Sequence, residues 1–401
     1  MNRGDRDSSR ASLYDRLRPR QSTLEQMARQ QATPAPERRY DPDRLRVIDG
    51  VALTSAGLVG WGNVPAPAVP TPLEGVQSPG GNCFLCHKVV DTIPIASSPD
   101  GQAIDQKTTR LLELVHSLAL EALDLLDKAP KNAISDMGFD IAVSFPSDGL
   151  VSTHAFLEYI RELLKASSFY QSMGKLICLD NSIGLHAAVA ASVLTSPYIL
   201  WISADSFCSS SGVIQLEQQS LLASPPRYKG THPGEACAAV LLQRIEGNSS
   251  AFQDGWWLSP SVNLHHSARA QQSRRSRLDC MRELLNTVSS DLVDSEPSVA
   301  IADVGKLPER VSDVCAALLD RWGHPDTIED IYFTDSFCGW SGSALNAVQI
   351  VLAIAALTEK KHAGSALILE VASETTSGTA FLLPCSAVAE GVGGVQSQRG
   401  V

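Results

Sequence analysis

Apolar and polar positions along the chain switch between a period of two and a period near 3.6, in an order that occurs twice. Residues 46–55 (RVIDGVALTS) are rich in β-formers and end in a turn at Gly57. Residues 107–127 (KTTRLLELVHSLALEALDLLD) carry apolar side chains at helical spacing with a charged outer face. A strand at 139–145, a helix at 154–165 and a buried strand at 176–180 follow. A helix at 182–194 (SIGLHAAVAASVL) and strands at 198–203 and 236–243 complete the first set. The second half predicts a strand at 256–262, a helix at 277–291, a strand at 298–304 and a helix at 308–322. It ends with a strand at 330–334, a helix at 343–357 (SALNAVQIVLAIAAL) and strands at 366–371 and 379–383.

Both halves therefore predict βαβαβαββ. In each, the third helix is apolar around its whole circumference, so it must be buried on all sides. One such helix per half predicts two sheets enclosing a central helical layer, with the crossover helices outside. The expected architecture is α/β, a duplicated five-layer αβαβα sandwich.

Composition narrows the function classes. The 401 residues are 44% hydrophobic and 19% charged, which suits a large packed core. A net charge of −11 argues against nucleic acid as a partner, because phosphates need a basic surface. Residues 1–44 hold ten Arg and seven acidic residues and form an expected flexible arm. Expected boundaries beyond it are a first half at 45–250, a second at 251–390 and a flexible tail at 391–401. No apolar run of about 18 residues is recognised, so no membrane span is expected. The basic N-terminus lacks an apolar segment, so no secretory signal is expected, and the nine cysteines are expected as reduced cytoplasmic thiols.

One short motif is conspicuous. Cys83, Cys86 and His87 spell a c-type haem attachment site. They stand beside a Pro/Gly-rich stretch, and a structural zinc would need two further ligands that no second Cys or His pair supplies. The spelling is expected to be incidental, with neither haem, metal nor any other cofactor required.

Longer patches carry a resemblance. Residues 45–57 (LRVIDGVALTSAG), 104–115 (IDQKTTRLLELV), 182–187, 198–206, 233–242 (PGEACAAVLL), 339–353 (GWSGSALNAVQIVLA) and 377–383 resemble the β-ketoacyl synthase branch of the thiolase fold, over nearly all of 45–385. The resemblance implies a cysteine nucleophile at the N-terminus of the first buried helix and two second-half residues, commonly histidines, that polarise a thioester. The nucleophile's place falls on Asn181, followed by Ser182. Residues 328–336 occupy the expected place of one histidine loop and contain none, and Trp340 stands where the other histidine would be. The expected lining of this pseudo-active site is Asn181, Ser182, Cys338 and Trp340, with no catalytic residue.

Other candidates have plainer expectations. Cys178 is expected in the core, Cys338 near the pocket mouth, and His186 as a satisfied core histidine that shares a helix face with Ser182. His265 and His266 are expected in a solvated loop, and the Arg269–Arg277 cluster in an exposed turn. Thiolase-like proteins of type VI secretion gene clusters resemble the chain in lacking the catalytic set. That resemblance implies a catalytically inactive, cytoplasmic scaffold: an accessory or effector-loading pseudoenzyme that contacts an effector, an adaptor or an acyl carrier protein. It also implies a homodimer, with residues 198–203 as the candidate edge strand. The alternative is an active acyl-thioester enzyme of the acyltransferase class, catalysing condensation or decarboxylation.

Overall fold

The computed structural model describes residues 40–78, 81–95, 105–146, 151–180, 184–219, 221–223, 230–246, 254–289, 297–304, 308–323, 331–360 and 364–385. The expected arm up to residue 39, the expected tail, and Asn181 and Ser182 lie outside these.

The first half opens with β1 (Tyr40–Thr54), which begins ahead of Leu45 and turns back as β2 (Gly57–Gly60). A small two-stranded sheet, β3 (Thr71–Gln77) and β4 (Cys83–Cys86), follows. Next come α1 (Gln106–Asp124), β5 (Phe139–Ser144), α2 (Thr153–Lys165), β6 (Met173–Cys178) and α3 (Leu185–Ala191). β7 (Tyr198–Ser206), α4 (Ser210–Gln218) and β8 (Glu235–Glu246) complete it. The second half runs β9 (Trp256–Leu258), β10 (Val262–His265), α5 (Arg274–Ser289), β11 (Val299–Ala302), α6 (Pro308–Trp322) and β12 (Ile331–Phe333). It closes with α7 (Leu345–Glu359), β13 (Ala366–Glu370) and β14 (Thr376–Pro384).

The duplication is visible in the strand order. The first half pairs as β6-β5-β7-β8-β1 and the second as β12-β11-β13-β14-β9. In each, three parallel strands are followed by antiparallel ones. The halves are not separate sheets. Leu45–Val47 of β1 pair with β9, which also pairs with β14, giving one twelve-stranded sheet.

Alternation of side chains sorts the core into layers. From β8, Ala236, Ala238, Val240 and Leu242 face the central cluster, while Cys237, Ala239 and Leu241 face the cluster under α1 and α2. From β13, Ala366 and Ile368 face the centre, while Leu367 and Leu369 pack against α5 and α6. Helix α7 lies in the central layer, buried at every position from Ala347 to Leu357. Gly50 of β1 permits this: a Cβ there would stand 2.8 Å from Val351 Cγ2. Residues Gly342–Glu359 do have the length and apolarity of a membrane span, contrary to expectation, but most of the stretch is inside the protein.

Two expectations need correction. Residues 198–203 are not an edge: β7 runs between β5 and β8 and is buried throughout. The open edge is β6, where Gly174, Lys175 and Cys178 are exposed. The crossover through α2 covers the outer face and that through α3 the inner face. Right-handed crossovers on opposite faces must step in opposite directions, which leaves β6 outermost. The expected burial of the first central helix on all sides also fails. α3 is seven residues long, with His186, Ala188 and Val189 buried but Ala187, Ala190 and Ala191 exposed.

Candidate functional site

A cavity of about 330 Å³ opens between the N-terminal ends of α3 and α7. The first half contributes Ser144 and Trp201 from β5 and β7, Leu179 and Asp180 after β6, and Gly184, Leu185 and Ala188 of α3. The second half contributes Ser261 and Asn263 near β10, Asp303 after β11, Glu370 at the end of β13, Trp340, Gly342 and Ser343, and Leu345, Asn346 and Gln349 of α7.

The turn before α7 is held in place by backbone and carboxylate contacts. Trp340 N donates to His232 O at 2.9 Å and Gly234 N to Trp340 O at 3.0 Å, so the two segments zip together. A side chain at Gly234 would overlap Cys338 O, and Gly339 takes a φ of 60° where a Cβ would press on His232 O. Asp205 Oδ2, at the end of β7, accepts from Ser343 N at 2.9 Å and Ser343 Oγ at 3.1 Å. Burial pushes the Asp205 carboxyl up to about 6, against the pull of Lys107 and these hydrogen bonds.

Carboxyl groups dominate the second-half wall. Asp303 Oδ1 accepts from the Val371 and Ala372 amides. Burial raises its carboxyl well above the usual range; the Val371 hydrogen bond opposes this, and repulsion from Glu370 and Asp335 adds to it. Glu370 Oε1 accepts from Asn346 Nδ2 at 2.6 Å, and burial raises this carboxyl too.

Of the expected lining, Trp340 is in the cavity wall. Asn181 and Ser182 lie outside the described residues, and Ser182 therefore gives His186 no described relay. Cys338 does not line the cavity. It is fully buried, contacts Ser341 Oγ at 3.4 Å, and is pushed up to about 12 chiefly by burial. Residues 331–336 do not line the cavity either, whereas Asp303, after β11, does. Sequence reasoning missed Asp303, Glu370, Asn263, Asn346 and Gln349. A signal was present in part: Asp303 and Glu370 sit at the carboxyl ends of parallel strands, where α/β folds place ligands.

The remaining candidates separate. Cys178 is exposed on the edge strand, not in the core. His186 is buried, with Nε2 2.9 Å from Leu258 O. His266 is tied in rather than solvated, its Nε2 3.0 Å from Ser377 Oγ. Arg269 is buried with Nε donating to Ser373 O at 3.1 Å, and Arg277 bonds Asp313 at 2.7 Å, so the arginine cluster is only partly an exposed turn. Cys83 and Cys86 lie at opposite ends of β4, one exposed and one buried. Three positions along a strand turn side chains to opposite faces. Cys86 meets Cys208 instead, which lowers the Cys86 thiol against the effect of burial. His87 is buried beside Gly339, so the motif ends close to the turn that carries Trp340. Among the described residues no group of three His, Cys, Asp or Glu side chains is arranged to hold a metal.

No family model and no curated protein matches the chain. Solved structures do. The oxazolomycin ketosynthase domain of Streptomyces albus is 13% identical, with 85% of this chain and 74% of that one covered and a TM-score of 0.55. A type II polyketide ketosynthase in complex with its acyl-carrier protein and bound to the hexaketide is 12% identical, with 86% and 100% covered and a TM-score of 0.54. The ishigamide ketosynthase/chain length factor is 15% identical, with 84% and 99% covered and a TM-score of 0.51. At such identities likeness extends to the fold, and the chain has the thiolase-like α/β fold of the ketosynthases.

Proposed function

We propose that this chain is a ketosynthase-like scaffold that does not transfer acyl groups and acts through protein–protein contacts. The observation that carries this reading is the cavity itself: among its described lining residues there is no cysteine and no histidine. The sequence offers no thiol at 181–183 either. Covalent acyl transfer needs an activated nucleophile with a partner to move its proton. Cys338 is withdrawn into the core, where a thiol held up to about 12 stays protonated.

The role is that of a cytoplasmic accessory protein, and the resemblance to thiolase-like proteins of type VI secretion clusters supports effector loading as its setting. The partner is an effector, an adaptor or an acyl carrier protein. The scaffold works as a homodimer joined through β6. Among the described residues that strand pairs only with β5, and Val193, beyond α3, is 66% exposed beside the small exposed face of that helix. Light scattering should give a dimer at micromolar concentration, and Val193→Glu should shift it to monomer. A wild-type monomer ends the dimer part of the proposal.

The central test is incubation of the full chain with malonyl and acetyl thioesters of pantetheine and of acyl carrier protein. Intact-mass measurement should show no acyl adduct and product analysis no condensation or decarboxylation. Turnover would establish the alternative, an active acyl-thioester enzyme, and remove the scaffold reading.

A further inference from the structure

Among its described lining residues the cavity presents carboxyl and side-chain amide oxygens, from Asp303, Glu370, Asn263, Asn346 and Gln349. Gly378 on β14 has no room for a side chain: a Cβ there would stand 2.7 Å from Asn263 Oδ1 and 3.4 Å from both Cβ and Oε2 of Glu370. Gly378 pairs with Asn263 on one side and Glu370 on the other, which brings these two cavity-lining oxygens near one another. Gln349 is fully buried on α7; its Nε2 donates to Leu369 O at 3.1 Å and its Oε1 has no hydrogen-bond partner. Asn346 uses Nδ2 on Glu370 Oε1 at 2.6 Å. Both α7 amides therefore commit nitrogen to the protein, and the Gln349 oxygen is left unmatched. A buried acceptor without a partner in a cavity wall calls for an explanation, and a donor brought by a ligand supplies one.

Charge agrees with this polarity. No Lys, Arg or His is among the described lining residues. Asp303 has arginines nearby, since Arg310 binds the Val371 and Ala372 carbonyls and Arg269 lies within electrostatic reach. Glu370 makes no ion pair among the described residues. The indoles of Trp201 and Trp340 line the same space, and aromatic faces attract cations. The N-terminal end of α7 opposes a cation, but a helix end amounts to about half a charge against a full carboxylate.

We propose that this cavity binds a small organic ammonium compound, whose N–H groups donate to Glu370, Asn263 and Gln349 and whose charge lies beside the two indoles. The assignment deepens the scaffold reading by giving the same cavity a ligand, and it rests on that reading because an acyl thioester would compete for the space. The probe is 1,4-diaminobutane, with 1,4-butanediol and succinate as neutral and anionic counterparts of similar length. Calorimetry and indole fluorescence on the full chain should show one saturable site for the diamine and none for the other two. Glu370→Gln, which keeps an acceptor for Asn346 Nδ2 but removes the carboxylate, should weaken binding at least tenfold. Gly378→Ala, whose Cβ would displace the Asn263 oxygen, should do the same. If one variant fails to fold, the other decides. No saturable diamine binding, equal binding of the diol, preference for succinate, or unchanged affinity in the folded variants would each overturn the proposal. Thioester turnover is read separately, so failure of the scaffold reading and failure of the ammonium site give different results.

Discussion

Arg110 on α1 holds Glu235 at the start of β8 through two parallel hydrogen bonds, Nε to Oε2 at 3.1 Å and Nη2 to Oε1 at 2.5 Å. Glu235 is fully buried and also accepts from Ser206 Oγ at 2.7 Å and Val89 N at 2.9 Å, so one carboxylate joins four segments. Breaking one side of a buried pair leaves the other charge uncompensated. Glu235→Ala should therefore cost about 3–5 kcal/mol, and Glu235→Gln less because an acceptor remains. Urea unfolding measures both; a loss under about 1 kcal/mol for the alanine variant would refute the anchoring role.

Asp205 should make stability depend on pH with a defined sign. Its folded value, about 6, lies above the ordinary 3.8. Between those values the folded chain binds more protons than the unfolded one, so this group makes stability fall as pH rises, with no further change above about 6. The difference is worth on the order of 3 kcal/mol. Asp205→Asn should remove that part of the profile, and wild type should gain on the variant as pH drops from 7.5 to 4. Parallel unfolding profiles would contradict the assignment.

Thiol labelling should follow burial rather than proximity to the cavity. Cys83 and Cys178 are exposed and should react with iodoacetamide in the folded protein. Cys237 and Cys338 are buried, and burial pushes Cys338 up to about 12, so both should label only on unfolding. Peptide mass spectrometry reads the order, and fast labelling of Cys338 would make it a candidate nucleophile again.

Gly50 should resist enlargement. A Cβ there would sit 2.8 Å from Val351 Cγ2 and 3.4 Å from Ala239 O, and both neighbours are fixed in the core. Gly50→Ala should cost about 1–3 kcal/mol by overpacking. Combining it with Val351→Ala should recover part of that loss, which a double-mutant cycle measures. Strict additivity would show that α7 does not press on β1.

Much of the fold was legible because its signals are local. The apolar run at 343–357 could only be a helix buried on all sides, and α7 is one. The segment at 182–194 carries a similar pattern yet yields a short helix with Ala187, Ala190 and Ala191 exposed, since composition reports what may be buried, not what arrives to cover it. The run at 176–180 looked like an interior strand and proved to be the end of edge strand β6, for the same reason. In the site, Trp340 was found through its place before α7, while Asp303 was missed because nothing local to 298–304 shows that the end of that strand reaches the cavity.

The sequence by itself determined the repeated element order, the central buried helix of the second half and the absence of a thiol at 181–183. Each depends on residues close together along the chain. Only the tertiary structure decided which strand is outermost, that the two sheets join through β9, and that Asn263, Asp303, Gln349 and Glu370 share one cavity. Those outcomes follow from crossover handedness and from contacts between residues far apart in sequence, which no local periodicity encodes.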